Sequence, residues 1–121
     1  MANPLEFDEQ RAFVEWLEVQ GLKFTAIPND TFTRSWKQKN TKRLEGVRAG
    51  FPDLVVLIPK NRSKDGEGYC LAIEMKRIKG GVVSKFQKEW IEAINELDNN
   101  FRAYVAKGCS EAIEIVKHYL K

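Results

Sequence analysis

The chain has 121 residues, 43% of them hydrophobic, with 20 Lys and Arg against 17 Asp and Glu for a formal charge of +3. That length holds one domain, residues 1–121, and so small a charge does not by itself imply a nucleic-acid partner. Two cysteines, Cys70 and Cys109, make neither a disulfide framework nor a zinc site, and one histidine, His118, leaves Ser-His-Asp and histidine-metal chemistries without parts. No apolar run is long enough to span a membrane and no leader pattern opens the chain, so a reducing, cytoplasmic setting is expected.

A helix is predicted from Pro4 to Gln20. Asn3 is a suitable N-cap, Pro4 fits the first helical position, Glu6 falls where a capping box takes an acid, and Gly21 is a natural stop. Leu5, Ala12, Phe13, Trp16 and Leu17 share one face. Glu9 lies in the middle of that face and Glu6 towards its edge. A carboxylate amid apolar side chains is costly unless something pairs with it. Either the helix is set so that Glu9 reaches solvent, or Glu9 points at a metal ion.

Leu22 to Ile27 reads as a strand closed by the turn residues Pro28-Asn29-Asp30. A basic segment follows, with Arg34, Lys37, Lys39, Lys42, Arg43 and Arg48 against a single acid, Glu45. This is the footprint of a phosphate-backbone binder or, more plainly, a solvated loop. Trp36 within it either stacks on a base or anchors the loop.

Asp53 to Ile58 is a nearly unbroken apolar strand, as expected of one covered on both faces. Pro59 ends it, and Asn61 to Gly68 reads as a hydrophilic hairpin loop. In Cys70 to Lys76, the period of two puts Cys70, Ala72, Glu74 and Lys76 on one face and Leu71, Ile73 and Met75 on the other. Glu74 and Lys76 therefore project together.

Gly80-Gly81 is a turn, and Ser84 to Gln87 is a capping-box pattern opening a helix. Phe86, Trp90, Ala93, Ile94 and Leu97 are its expected buried stripe. Asn99-Asn100 ends it, Phe101 to Ala106 is the fourth strand, and Ser110 is the expected cap of a last helix with Ala112, Ile115, Val116, Tyr119 and Leu120 on its apolar side. The fold class is α/β, ordered helix, three strands, helix, strand, helix.

Asp53 and Glu74 offer two hard oxygen ligands and the Met75 carbonyl a third, the set a Mg²⁺-like ion takes. Such an ion would activate a water and stabilise charge on an attacked phosphate, with Lys76 beside it to orient that water or stabilise the pentacovalent transition state. Gln87 has two possible roles, in the capping box or in the site. The pattern of an acid, then an acid and a lysine two apart, is that of a metal-dependent phosphodiesterase, but it is short enough to arise by chance.

Gly46 to Leu54, Ile73 to Arg77 and Gly80 to Trp90 together resemble the VRR-NUC family of the PD-(D/E)XK nucleases. So do Glu6 to Gln10, Ala26 to Asn29 and the tail from Ala112 to Leu120. The resemblance implies that superfamily's core, with a central mixed sheet, and a Mg²⁺- or Mn²⁺-dependent DNA endonuclease. It matches Asp53 to the metal-binding acid, Glu74 and Lys76 to the acid-x-lysine pair, Glu9 to the acid of the first helix and Gln87 to the glutamine after the sheet. Small stand-alone, phage-encoded members imply a homodimer acting on branched DNA, including four-way junctions. One departure is Asn29-Asp30 where many members have Asn-Gly. A sequence-specific restriction-type nuclease and a non-catalytic DNA-binding module are the alternatives.

Overall fold

The computed structural model describes residues 4–28 and 36–121, the side chains of 4, 5 and 36–39 excepted. Asn3, Asn29, Asp30 and Arg34 lie outside these residues, as do the side chains of Leu5, Trp36, Lys37 and Lys39. The elements are α1 (Pro4–Gln20), β1 (Lys23–Ala26), α2 (Trp36–Leu44), β2 (Leu54–Ile58), β3 (Tyr69–Lys76), α3 (Lys85–Glu96), β4 (Phe101–Lys107) and α4 (Cys109–Tyr119). A short 3₁₀ turn, Lys60–Arg62, opens the loop that reads as plain hairpin in the sequence.

The sheet order is β1-β2-β3-β4. β1, β2 and β3 run antiparallel in turn, and β4 lies parallel to β3. A parallel neighbour needs a crossover, and α3 supplies it. α1 and α4 cover one face, where Phe13 and Leu17 meet Leu54, Val56, Leu71, Ile73, Met75, Ala112 and Val116 in one buried cluster. α3 covers the other, where Ile94 lies over the small residues Ala72 and Ala103. Its Asn95 side chain donates to the Ala103 carbonyl and accepts from the Ala103 amide, closing part of the β4 edge.

Several expectations change. α2 replaces the predicted loop; its sequence, WKQKNTKRL, has no apolar stripe to announce it. β2 is not covered on both faces: Leu54, Val56 and Ile58 are buried, but Leu57 is 42% exposed because α3 lies over β3 and β4. β3 is the strand buried on both sides over Leu71–Lys76. In α1, Ala12 is exposed and Val14 packs on the core instead. In α3, of the predicted stripe only Ile94 is buried. Phe86 and Leu97 are 57% and 56% exposed, and the packed row is turned towards Ile91 and Ile94.

Candidate active site

Because β2 and β3 are antiparallel, the residue before β2 comes alongside the end of β3. The last ladder pair at that end is Leu54↔Ile73, so Glu74, Met75 and Lys76 overhang β2. The Met75 amide, left without a β2 partner, donates instead to Asp53 Oδ2 at 2.8 Å. Asp53 is tied back in turn, its carbonyl accepting from the Ile27 amide at 2.8 Å. The two strands thus splay around a pair of carboxylates, Asp53 and Glu74.

The loop before Asp53 is fastened to the first turns of α3. Trp90 Nε1 donates to the Ala49 carbonyl at 3.0 Å, and the Phe51 and Trp90 rings meet edge to face at 5.2 Å. At Gly50 a Cβ would sit 2.6 Å from the Phe86 backbone, so only glycine allows this approach, and its φ of +97° is a second reason.

Glu74 is only 2% exposed, and Lys76 8%. Lys76 Nζ stands 3.5 Å from Glu74 Oε2. Gln87 Nε2 donates to the same Oε2 at 3.0 Å. Its Oε1 meanwhile accepts from the Ser84 amide at 2.8 Å, and Ser84 Oγ accepts from the Gln87 amide at 3.2 Å. The two roles of Gln87 are therefore simultaneous: one end of the amide completes the capping box and the other grips the acid.

Glu74 Oε1 is buried with no hydrogen-bond partner. Burial, and then the charge of Asp53, push the Glu74 carboxyl up to about 8, against the opposing pull of Lys76. A buried acid beside a second acid, with one oxygen unmet, suits a hard divalent cation. Among the described residues no group of three or more His, Cys, Asp or Glu side chains comes together, so Asp53 and Glu74 are the carboxylates on offer. The Met75 carbonyl belongs to the same overhang.

Glu9 has a partner within the fold, at the start of α4. Its Oε1 accepts from the Cys109 amide at 2.6 Å, the first helical position of α4. The N-cap of α4 is Gly108, which has no side chain to cap with, and Ser110 lies inside the helix. Glu9 supplies the missing acceptor, and its charge meets the positive end of the helix dipole. The Gly108 amide donates to the Lys76 carbonyl at 2.8 Å. Glu9 thus holds the turn on which the end of β3 rests. A Cβ at Gly108 would fall 2.7 Å from Ile78 Cγ1 and 3.0 Å from Glu9 Oε1. Sequence reasoning missed Gly108 and Cys109, and a partner 100 residues from Glu9 leaves no local signal.

Of the six basic residues, Lys42 is half-buried on α2, while Arg43 and Arg48 are exposed on it and just beyond it. Arg48 Nη1 donates to the Arg43 and Val47 carbonyls, capping the helix end. A second polar cluster lies at the far end of β3. There Asp65 accepts from Tyr69 and Ser63, and the Arg102 guanidinium stacks 5.2 Å from the Tyr69 ring and 5.9 Å from that of Tyr119. It fastens the end of α4 to the sheet.

Helices cover both faces of a four-stranded mixed sheet, with two acids gathered at the β2–β3 splay, which makes this an α/β domain with a candidate site at one end of its sheet. The VRR-NUC domain model matches residues 4–110, and the chain belongs to that family. It is also similar to a solved structure described as a VRR_NUC domain protein, at 30% identity and a TM-score of 0.66, over 98% of this chain and 90% of the other. No curated protein matches it. The family is a nuclease family, with DNA as the expected substrate. No helix among the described residues is long and apolar enough to cross a membrane.

Proposed function

We propose that the protein is a divalent-metal-dependent DNA endonuclease, selective for branched DNA such as four-way junctions and acting as a homodimer. The observation that carries the metal reading is the buried Glu74 Oε1, which receives no hydrogen bond and lies beside a second carboxylate, Asp53. Asp53 and Glu74 would hold the ion, with the Met75 carbonyl as a third oxygen. A bound Mg²⁺ or Mn²⁺ would supply an activated water and charge stabilisation at the attacked phosphate.

The chain's own groups do the rest. Gln87 and Lys76 both hold Glu74 Oε2, which leaves Oε1 as the coordinating atom. Glu74 must shed its proton to bind a cation, and the Lys76 charge favours that loss. The Lys76 ammonium is also the positive donor set beside the carboxylates, where charge develops on the phosphate. Glu9 acts one step back, through Gly108 on the Lys76 carbonyl. Lys42, Arg43 and Arg48, with Arg34, Lys37 and Lys39, supply cations for the DNA backbone.

The test is cleavage of linear, flap, bubble and four-way-junction DNA with Mg²⁺ or Mn²⁺. Branched DNA should be cut faster than linear duplex, and Ca²⁺, which tolerates looser geometry, should support binding without cutting. Robust cleavage in excess chelator sinks the metal reading. Tight binding with no cutting in either metal leaves a DNA-binding module. Cutting confined to one short sequence in linear duplex favours a restriction-type enzyme.

A further inference from the structure

We propose that Phe86 and Trp90 form a stacking cleft for one unpaired nucleobase of branched DNA, next to the bond that is cut. This rests on the nuclease reading and names what would give it selectivity for branches that carry an unpaired base, such as flaps. The two aromatics lie one helical turn apart on α3, and neither belongs to the two buried clusters of the core. Phe86 is 57% exposed on the first turn of the helix. With Ala49, Glu89 and Ala93 they line a cleft of about 240 Å³.

The wall is rigid. Trp90 is held by its bond to the Ala49 carbonyl and by the edge-to-face contact with Phe51. Little motion remains to be lost when a ligand stacks there. The cleft also lies close to elements of the site. Gln87, the next residue after Phe86, donates to Glu74, and the Gly50 backbone that leads to Asp53 lies against Phe86 itself.

Charge does not bar a nucleotide: the one acid of the lining, Glu89, is paired with Lys85 at 4.0 Å. Stacking on an aromatic needs a free π-face. Bases inside a continuous duplex have both faces covered, whereas an unpaired base at a branch is released at low cost. A cleft of this kind beside the carboxylates would bind branched DNA better than linear duplex without reading sequence.

The experiment uses a flap duplex carrying 2-aminopurine at the first unpaired position, and the matching linear duplex, each titrated in Ca²⁺ with wild type, Phe86→Ala, Phe86→Leu and Phe86→Tyr. Wild type should change the 2-aminopurine fluorescence of the flap. Phe86→Ala and Phe86→Leu should remove that change and weaken flap binding about tenfold or more, with linear duplex unaffected. Phe86→Tyr should restore both. Unchanged flap binding by Phe86→Ala overturns the cleft, and so does an equal loss on linear duplex. A switch from dimer to monomer in sedimentation of Phe86→Ala also overturns it, because a second copy of the chain then covers the groove. Wild type that cuts flap DNA while Phe86→Ala binds and cuts it equally well sinks the cleft alone. Wild type that neither binds nor cuts any of these DNAs sinks the nuclease reading with it.

Discussion

Glu74 carries the most consequential protonation in the molecule. Folded, it keeps its proton to about pH 8; unfolded, it releases it near the usual 4.5. Between these values the folded state binds more protons, so stability must fall as pH rises through that window. The contribution of Glu74 is complete below about 4.5 and gone above about 8. With chelator present, the melting temperature should therefore decline from pH 5 to pH 8.5, and Glu74→Gln should flatten the decline. Added Mg²⁺ should reverse it at the alkaline end, since cation binding needs the carboxylate ionised. A wild-type melting temperature that rises over the same range in chelator would refute this assignment. The Asp53, Glu74 and Lys76 arrangement was legible in sequence because it needs only two rules, the period of two and an antiparallel hairpin. That one glutamine serves a cap and an acid together was not, because spacing cannot say where each end of a side chain points.

At the scale of elements, the misread features share a cause: periodicity gives a helix its face only when one row of apolar residues stands out. α3 has two adjacent rows, Phe86–Trp90–Ala93–Leu97 and Ile91–Ile94, and packing on Ala72 and Ala103 chose the second. α2 has no such row, so a helix read as a loop. Glu9 was placed on the right face of α1, but its partner belongs to α4, and no local rule reaches that far. The two readings of Glu9 differ in what they expect of stability. An unpaired acid facing an empty cation site should be relieved by Glu9→Gln, whereas an acid capping α4 should be missed. The charge at a helix N-terminus is worth about 0.3–1 kcal/mol, rising to about 2 when partly buried. Glu9→Gln should therefore lower the melting temperature in chelator by a few degrees, and Glu9→Ala by more. A melting temperature that holds or rises in Glu9→Gln would return Glu9 to the metal site. The basic segment is tested through salt. If Lys42, Arg43 and Arg48 contact phosphates, replacing all three with Ala should weaken DNA binding and flatten the dependence of log Kd on log salt, because fewer counterions are released. An unchanged slope would leave α2 and its sequel as a solvated surface.

At the scale of the molecule, the described residues of each chain gather one pair of carboxylates at the candidate site, while the proposed resolution of a four-way junction takes two cuts. A C2 dimer supplies two equivalent sites related by a twofold axis, which matches the symmetry of the junction. The surface leaves room for a partner: Phe7, Leu44, Val47, Ile78 and Val82 each stand more than half exposed. Sedimentation should therefore give twice the mass of the chain at micromolar concentration. The sharper measurement mixes subunits. Lys76→Ala should abolish cleavage while largely sparing junction affinity, because Lys76 is buried against Glu74 and in the proposed mechanism would act on the reacting phosphate more than on the DNA backbone. Wild type exchanged with an excess of Lys76→Ala then forms mixed dimers with one working site. Such dimers should nick a four-way junction on a single strand, and paired cuts should fall with the square of the wild-type fraction. Resolution that falls only in proportion to that fraction, from a protein that sediments as one chain, would show that each monomer cuts alone and that the dimer has no part in the reaction.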